Sequence, residues 1–204
     1  MSFDETIIHC GAPALCGIKP ACLFSISGKS YAEGSEKLKK WKQFFSVDKT
    51  FYVSIKKSDN RFLFFIYDRL LLEGLCQKKQ NQLYLAAKGY PVSEGLDAIL
   101  RELFHRLAFA PDFPHEVGLF LGYPLEDVIG FERMRASGYK YSGIWKVYGN
   151  KEKAIQMMNR YKSCTDYCMK WLEDGLSVPS ATRKYKKGVR KPPVALRAHF
   201  SEQA

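Results

Sequence analysis

The stretch TFYVSIKKSDNRFLFFIYDR, residues 50–69, restricts the fold more than any other part of the chain. Phe51, Val53 and Ile55 alternate with Tyr52, Ser54 and Lys56, the period of a half-buried strand. Ser58-Asp59-Asn60 supplies a short turn. The return strand, Phe62 to Tyr67, is apolar on both faces. Such a strand has to be covered above and below, so it belongs at the centre of a sheet.

The covering elements are read from the flanking sequence. A short first helix over 2–9 is entered at Ser2, with Asp4 and Glu5 in its first turn. CGAPALCGIKP (10–20) holds two Gly and two Pro and is expected to be a loop, and ACLFSIS (21–27) a buried strand. Ser30 and Glu33 have capping-box spacing, and the helix they open puts Leu38, Trp41 and Phe45 on one face. One or two helices are expected from Leu70 to Ala87, and another from Ser93 to Leu107 with the stripe Leu96, Ile99, Leu100, Leu103 and Leu107. EVGLFLG (116–122) and YSGIWKVYG (141–149) read as strands. Pro124 opens a helix between them, and Asn150 caps a long helix that ends near Gly175. Strands and helices interleave without strict alternation. The expected fold is therefore a single α+β domain over 1–176, with a mixed or mainly antiparallel sheet of about five strands packed by helices.

The net charge of +11 is uneven. Residues 177–204 carry seven basic side chains and one acid, leaving only +5 for the preceding 176 residues. This segment has no apolar period and is expected to be a disordered basic tail. Its 183–197 portion is a candidate nucleic-acid contact, or simply a solvated end. No apolar run approaches the roughly 18 residues that cross a bilayer, and MSFDETIIHC lacks the pattern of a secretory signal. A cytoplasmic protein with no membrane contact is expected, with its six cysteines as free thiols.

Chemistry points to Cys10, Lys19, His115 and Glu116. His115 suits proton transfer near neutral pH, and the adjacent carboxylate suits fixing its tautomer. Against this, neighbours on a strand point to opposite faces. His115 capping the loop and Glu116 pairing with a lysine is the competing reading. Cys10 falls at the predicted end of the first helix, beside a Gly/Pro loop. A reactive thiol there needs a cation or base, and Lys19 and His115 are the candidates. Joined, the four would form a small-molecule or thiol-dependent site. Cys10 would serve as nucleophile or ligand, His115 as base, Lys19 as partner for an anion or carbonyl, and Glu116 as orienter. The alternatives are a nucleic-acid module using the tail, or a non-catalytic protein whose aromatic faces meet a partner chain.

No metal site and no particular cofactor is read from the sequence. Cys10, Cys16 and Cys22 recur every six residues, too far apart for the close pairs of a zinc knuckle. Cys16 and Cys22 are expected as buried structural thiols. Cys164 and Cys168 share a helix face but lie on its apolar stripe, where a thiol is a small hydrophobe. The Gly122-Tyr123-Pro124 turn is not a phosphate cradle, because Glu126 and Asp127 stand where the phosphate would lie.

Four stretches together, HCGAPALCGIKPACLF, FPHEVGLFLGYPLEDVIGF, YKYSGIWKVYG and RYKSC, resemble an uncharacterised bacterial family of clostridia and related anaerobes, a domain of unknown function. The resemblance spans about Ile7 to Leu172. The positions that carry it are Cys10, Gly17, Lys19, Phe24, His115, Glu116, Gly122, Asp127, Trp145, Tyr148, Tyr161 and Cys164. Gly11 and Cys16 depart from the pattern. The resemblance implies a bacterial cytosolic protein with reduced thiols and lends no activity.

Overall fold

The computed structural model describes residues 1–47, 50–58 and 60–188. Helix α1 (Phe3–Leu15) leads to β1 (Ala21–Ser27), α2 (Gly28–Val47) and the hairpin β2 (Thr50–Ser58) and β3 (Arg61–Asp68). Helices α3 (Arg69–Cys76), α4 (Lys79–Ala87), α5 (Leu96–Phe109), α6 (Val117–Phe120) and α7 (Leu125–Met134) follow. The short strands β4 (Tyr141–Ser142) and β5 (Lys146–Val147) precede α8 (Lys151–Glu173) and α9 (Val178–Gly188). None of the described helices is long and apolar enough to cross a membrane.

β3 is the centre of an antiparallel sheet ordered β1-β3-β2, as its two apolar faces require. Phe62, Phe64 and Ile66 face a core shared with α1, α2, α8 and α9. Leu63, Phe65 and Tyr67 face a second core built from α3 to α7. The alternation of Phe51 and Val53 on β2, and the turn residue Asp59, lie outside the described side chains.

The chain is α+β, but the described residues form a three-stranded and a two-stranded sheet instead of one sheet of about five strands. The remaining pair, β4 and β5, forms a separate two-stranded ladder around Gly143-Ile144. The expected strand at EVGLFLG is the one-turn helix α6, all four of its residues buried. A short, wholly apolar run has no period to separate buried strand from buried helix.

The expected loop at 10–20 is mostly helix. α1 continues through Gly11 and Pro13, so Cys10 sits within the helix rather than at its end. Gly11 fits because a Cβ there would stand 2.7 Å from Ile66 Cδ1. α2 begins three residues before the expected start, with Ser27 Oγ accepting from the Ser30 amide at 3.1 Å.

The expectation of a structureless segment from 177 is also corrected. Ser177 Oγ accepts from the Ser180 amide, and α9 buries Val178, Pro179, Ala181 and Thr182 against the first core. Four small or apolar contacts at helical spacing suffice to dock a helix whose other face is basic. Residues 189–204 of the expected tail lie outside the described residues.

Candidate functional site

α1 ends in a Schellman turn. The Gly17 amide donates to Ala14 O at 3.0 Å, the Ile18 amide donates to Pro13 O at 3.0 Å, and Gly17 takes φ 69°. The reversal carries Lys19 back beneath the helix before Pro20 O accepts from the Asp68 amide and starts the sheet. Lys19 is only 7% exposed. No carboxylate pairs with it among the described residues. Its ammonium lies between two rings instead, 5.5 Å from the centroid of Tyr123 and 5.4 Å from that of Tyr161.

Each ring is held in turn. Gly122 takes φ 78° and packs on Pro20, where a Cβ would meet Pro20 Cδ at 2.6 Å, and this places Tyr123 over Lys19. Trp145 stacks on Tyr123 at 4.6 Å and 20°. Buried Asp127 fixes Trp145 by accepting from Nε1 at 2.8 Å, and it also accepts from the Tyr148 and Gly149 amides at 2.7 and 2.8 Å. Tyr161 comes from α8, whose start is capped by Asn150 as its sequence indicates.

Lys19 borders a cavity of about 490 Å³ with Cys10, Cys22, Tyr161, Asn159 and Thr165; Pro13, Ile144, Met158 and Met169 supply apolar wall. Burial pushes the Cys10 thiol above its ordinary value, and proximity to Cys22 adds to this. Burial also pushes Cys22 up, with Lys19 acting in the opposite direction.

His115 does not border that cavity. It lines a second one, of about 570 Å³, with Phe113, Phe131, Tyr123 and Trp145, its ring edge-on to Phe131 at 5.1 Å. The two cavities meet at Gly143-Ile144. Glu116 serves neither. It is buried, and its carboxylate accepts from Arg106 Nη1 at 2.9 Å and from the Tyr90 hydroxyl at 3.1 Å. The expected four-residue constellation is thus divided: Cys10 and Lys19 share one cavity, His115 occupies the next, and Glu116 ties α6 to α5. The turn at 115–116 precedes a helix, so strand alternation does not apply. The two side chains diverge all the same.

Tyr123, Asn159 and Thr165 had no local signal marking them as wall residues. Nor did the meeting of Cys16 with Cys164 and Cys168, whose sulfurs all lie within 4.8 Å of one another. Hydrogen bonds with Cys16 and Cys164 draw the Cys168 thiol below its ordinary value, and those with Cys164 and Cys168 push Cys16 above it.

These features define a helix-rich α+β protein whose cavity is anchored by a buried lysine. Three positions that carry the sequence resemblance (Cys10, Lys19 and Tyr161) line this cavity, and three more (Gly122, Asp127 and Trp145) hold Tyr123 against Lys19. The chain belongs to the family described as protein of unknown function (DUF3793), which matches residues 7–181. No curated protein and no solved structure matches the chain.

Proposed function

We propose that the protein binds a small organic anion in the cavity bordered by Cys10, Lys19 and Tyr161. The supporting observation is Lys19, a buried ammonium that lies against two aromatic rings and has no ion-pair partner among the described residues, the cavity's one carboxylate, Asp166, being paired with Lys162. Burying a lone charge costs several kcal/mol, and each ring returns about 1–2 kcal/mol. A carboxylate or phosphate on the ligand completes the compensation. Pro13, Met158 and Met169 accommodate an apolar body, while Asn159 and Thr165 offer polar atoms to orient it. Cys10 stays protonated near neutral pH because burial raises it, so its role is wall and weak donor. Six free thiols suit a reducing compartment, and a cytoplasmic location goes with this reading.

The test is calorimetric titration with benzoate, hexanoate and phenyl phosphate, each beside a neutral counterpart. At least one acid binds, its neutral counterpart binds about tenfold or more weakly, and Lys19→Met removes the difference. Equal binding of acids and neutral counterparts, or no binding of any acid, overturns the proposal.

A further inference from the structure

A second cluster of thiols lies apart from the Lys19 cavity. Cys16 caps the end of α1, and Cys164 and Cys168 stand one helical turn apart on α8. Cys16 Sγ and Cys168 Sγ are 3.6 Å apart, and all three sulfurs fall within 4.8 Å of one another. The three residues are 4%, 0% and 0% exposed, so rigid, packed helices set the positions of the sulfurs. α9 closes the cluster: Thr182 O lies 3.9 Å from Cys16 Sγ, and Tyr185 packs against the same core.

We propose that Cys16, Cys164 and Cys168 form a binding site for a thiophilic d10 metal ion. Three sulfurs each about 2.3 Å from a shared ion stand about 3.8–4.0 Å apart. The observed sulfurs reach that arrangement with shifts of under about one ångström. Soft thiolates select zinc and copper(I) over harder ions. Three sulfurs alone satisfy copper(I), whereas zinc takes a fourth ligand, for which the Thr182 carbonyl, 3.9 Å from Cys16 Sγ, is placed. Each thiol releases its proton to solvent as the ion enters.

The loaded site is anionic, and the helix that closes it, α9, is basic. α9 contributes Arg183, Lys184, Lys186 and Lys187 and no acid, and Lys186 Cε comes within 3.8 Å of a Cβ built on Gly17, next to Cys16. Apolar packing alone gives no reason for three sulfurs from chain segments 148 and 152 residues apart to converge on one point. A thiol used as a small hydrophobe is satisfied by any apolar neighbour.

The test uses the full chain, reduced and handled without oxygen after chelator treatment. One sample is titrated with cobalt(II) and then zinc, and another with copper(I) against a competing chelator. One ion per chain is expected, with thiolate-to-cobalt charge-transfer absorption in the first titration. Cys164→Ser and Cys168→Ser weaken uptake roughly 100-fold or more, and Cys10→Ser and Cys22→Ser leave it unchanged. X-ray absorption of the loaded wild type keeps the proposal testable if a variant fails to fold. Three sulfur neighbours at the metal support it, with an added oxygen for zinc or none for copper. Failure of the reduced protein to take up an ion overturns it, as does a metal with two or fewer sulfur neighbours or uptake that survives in the folded Cys164 and Cys168 variants.

Discussion

Lys19→Met separates a ligand anchor from a structural residue, because the two roles predict opposite signs. Methionine approximates the lysine stem and removes the charge. The wild type meets several kcal/mol of desolvation with two ring contacts at 5.5 and 5.4 Å, worth about 2–4 kcal/mol together. Exchanging a buried charge for an apolar side chain of similar volume is neutral to stabilising. The variant without ligand is therefore expected to gain about 2 kcal/mol, or roughly 4–8 °C in Tm for a chain of this size. In the presence of the organic acid that binds, the order narrows or reverses. Wild type gains RT ln(1 + [L]/Kd), about 2.7 kcal/mol at one hundred times Kd, and the variant gains almost nothing. Thermal melts followed by circular dichroism, with and without the acid, read both effects. A variant that melts below wild type in the absence of ligand refutes the reasoning, since Lys19 would then be supporting the fold.

Neighbouring residues 115 and 116 are expected to behave differently. Glu116→Ala leaves the Tyr90 hydroxyl without its acceptor and removes one of the two carboxylates on Arg106, which keeps Glu102 and Lys88 O, and costs about 1–3 kcal/mol in urea unfolding, whereas His115→Ala, at the rim of a cavity, costs about 1 kcal/mol or less. Asp127→Ala leaves the Trp145 indole and two amides without their acceptor; a loss of about 3–5 kcal/mol is expected, together with a change in tryptophan fluorescence. At alkaline pH, burial raises Cys76 to about 12 and Tyr123 to about 12. Groups raised in the folded state stabilise fully below their unfolded values, about 8.5 for the thiol and 10 for the phenol. Denaturant midpoints should therefore hold up to about pH 8.5 and fall steadily toward pH 12; a flat profile across that window contradicts the burial of these groups.

Long periodic elements were legible in the sequence, and short apolar ones were not. The stripe Leu96, Ile99, Leu100, Leu103 and Leu107 is the buried face of α5. β3 is central because both of its faces are apolar. α6 reads as a strand in the sequence because four buried residues carry no period. α1 runs past Gly11 and Pro13 because tertiary contact outweighs local propensity: Gly11 lies against Ile66, and Pro13 is placed where its carbonyl serves two turn amides. α9 is hidden in the sequence because its apolar contacts are small and its charges dominate the composition.

The site was legible in part. Lys19 was singled out beside Cys10, and the two share a cavity. The sequence does not reveal which rings meet the ammonium, because Tyr123 and Tyr161 arrive from α6–α7 and α8. The Cys16 cluster was hidden for the same reason: its members gain meaning only when α1 and α8 pack together.

Both proposed sites depend on the way α1 ends. Cys10 faces the cavity from within the helix, Cys16 caps it, and Gly17 turns the chain so that Lys19 follows. Gly17 adopts φ 69°, and a Cβ there meets Asp68 Oδ2 only at 3.4 Å, so the penalty of Gly17→Ala is mainly conformational, about 1–2 kcal/mol. Relaxing that strain means reopening the turn, which moves Cys16 on one side and Lys19 on the other. Gly17→Ala is therefore expected to weaken organic-acid binding and metal uptake together, while Lys19→Met affects only the first and Cys164→Ser only the second. Calorimetry for the acid and cobalt absorption for the metal, run on the same three variants, give the comparison. If Gly17→Ala lowers Tm yet leaves both affinities at wild-type values, the turn does not position either site.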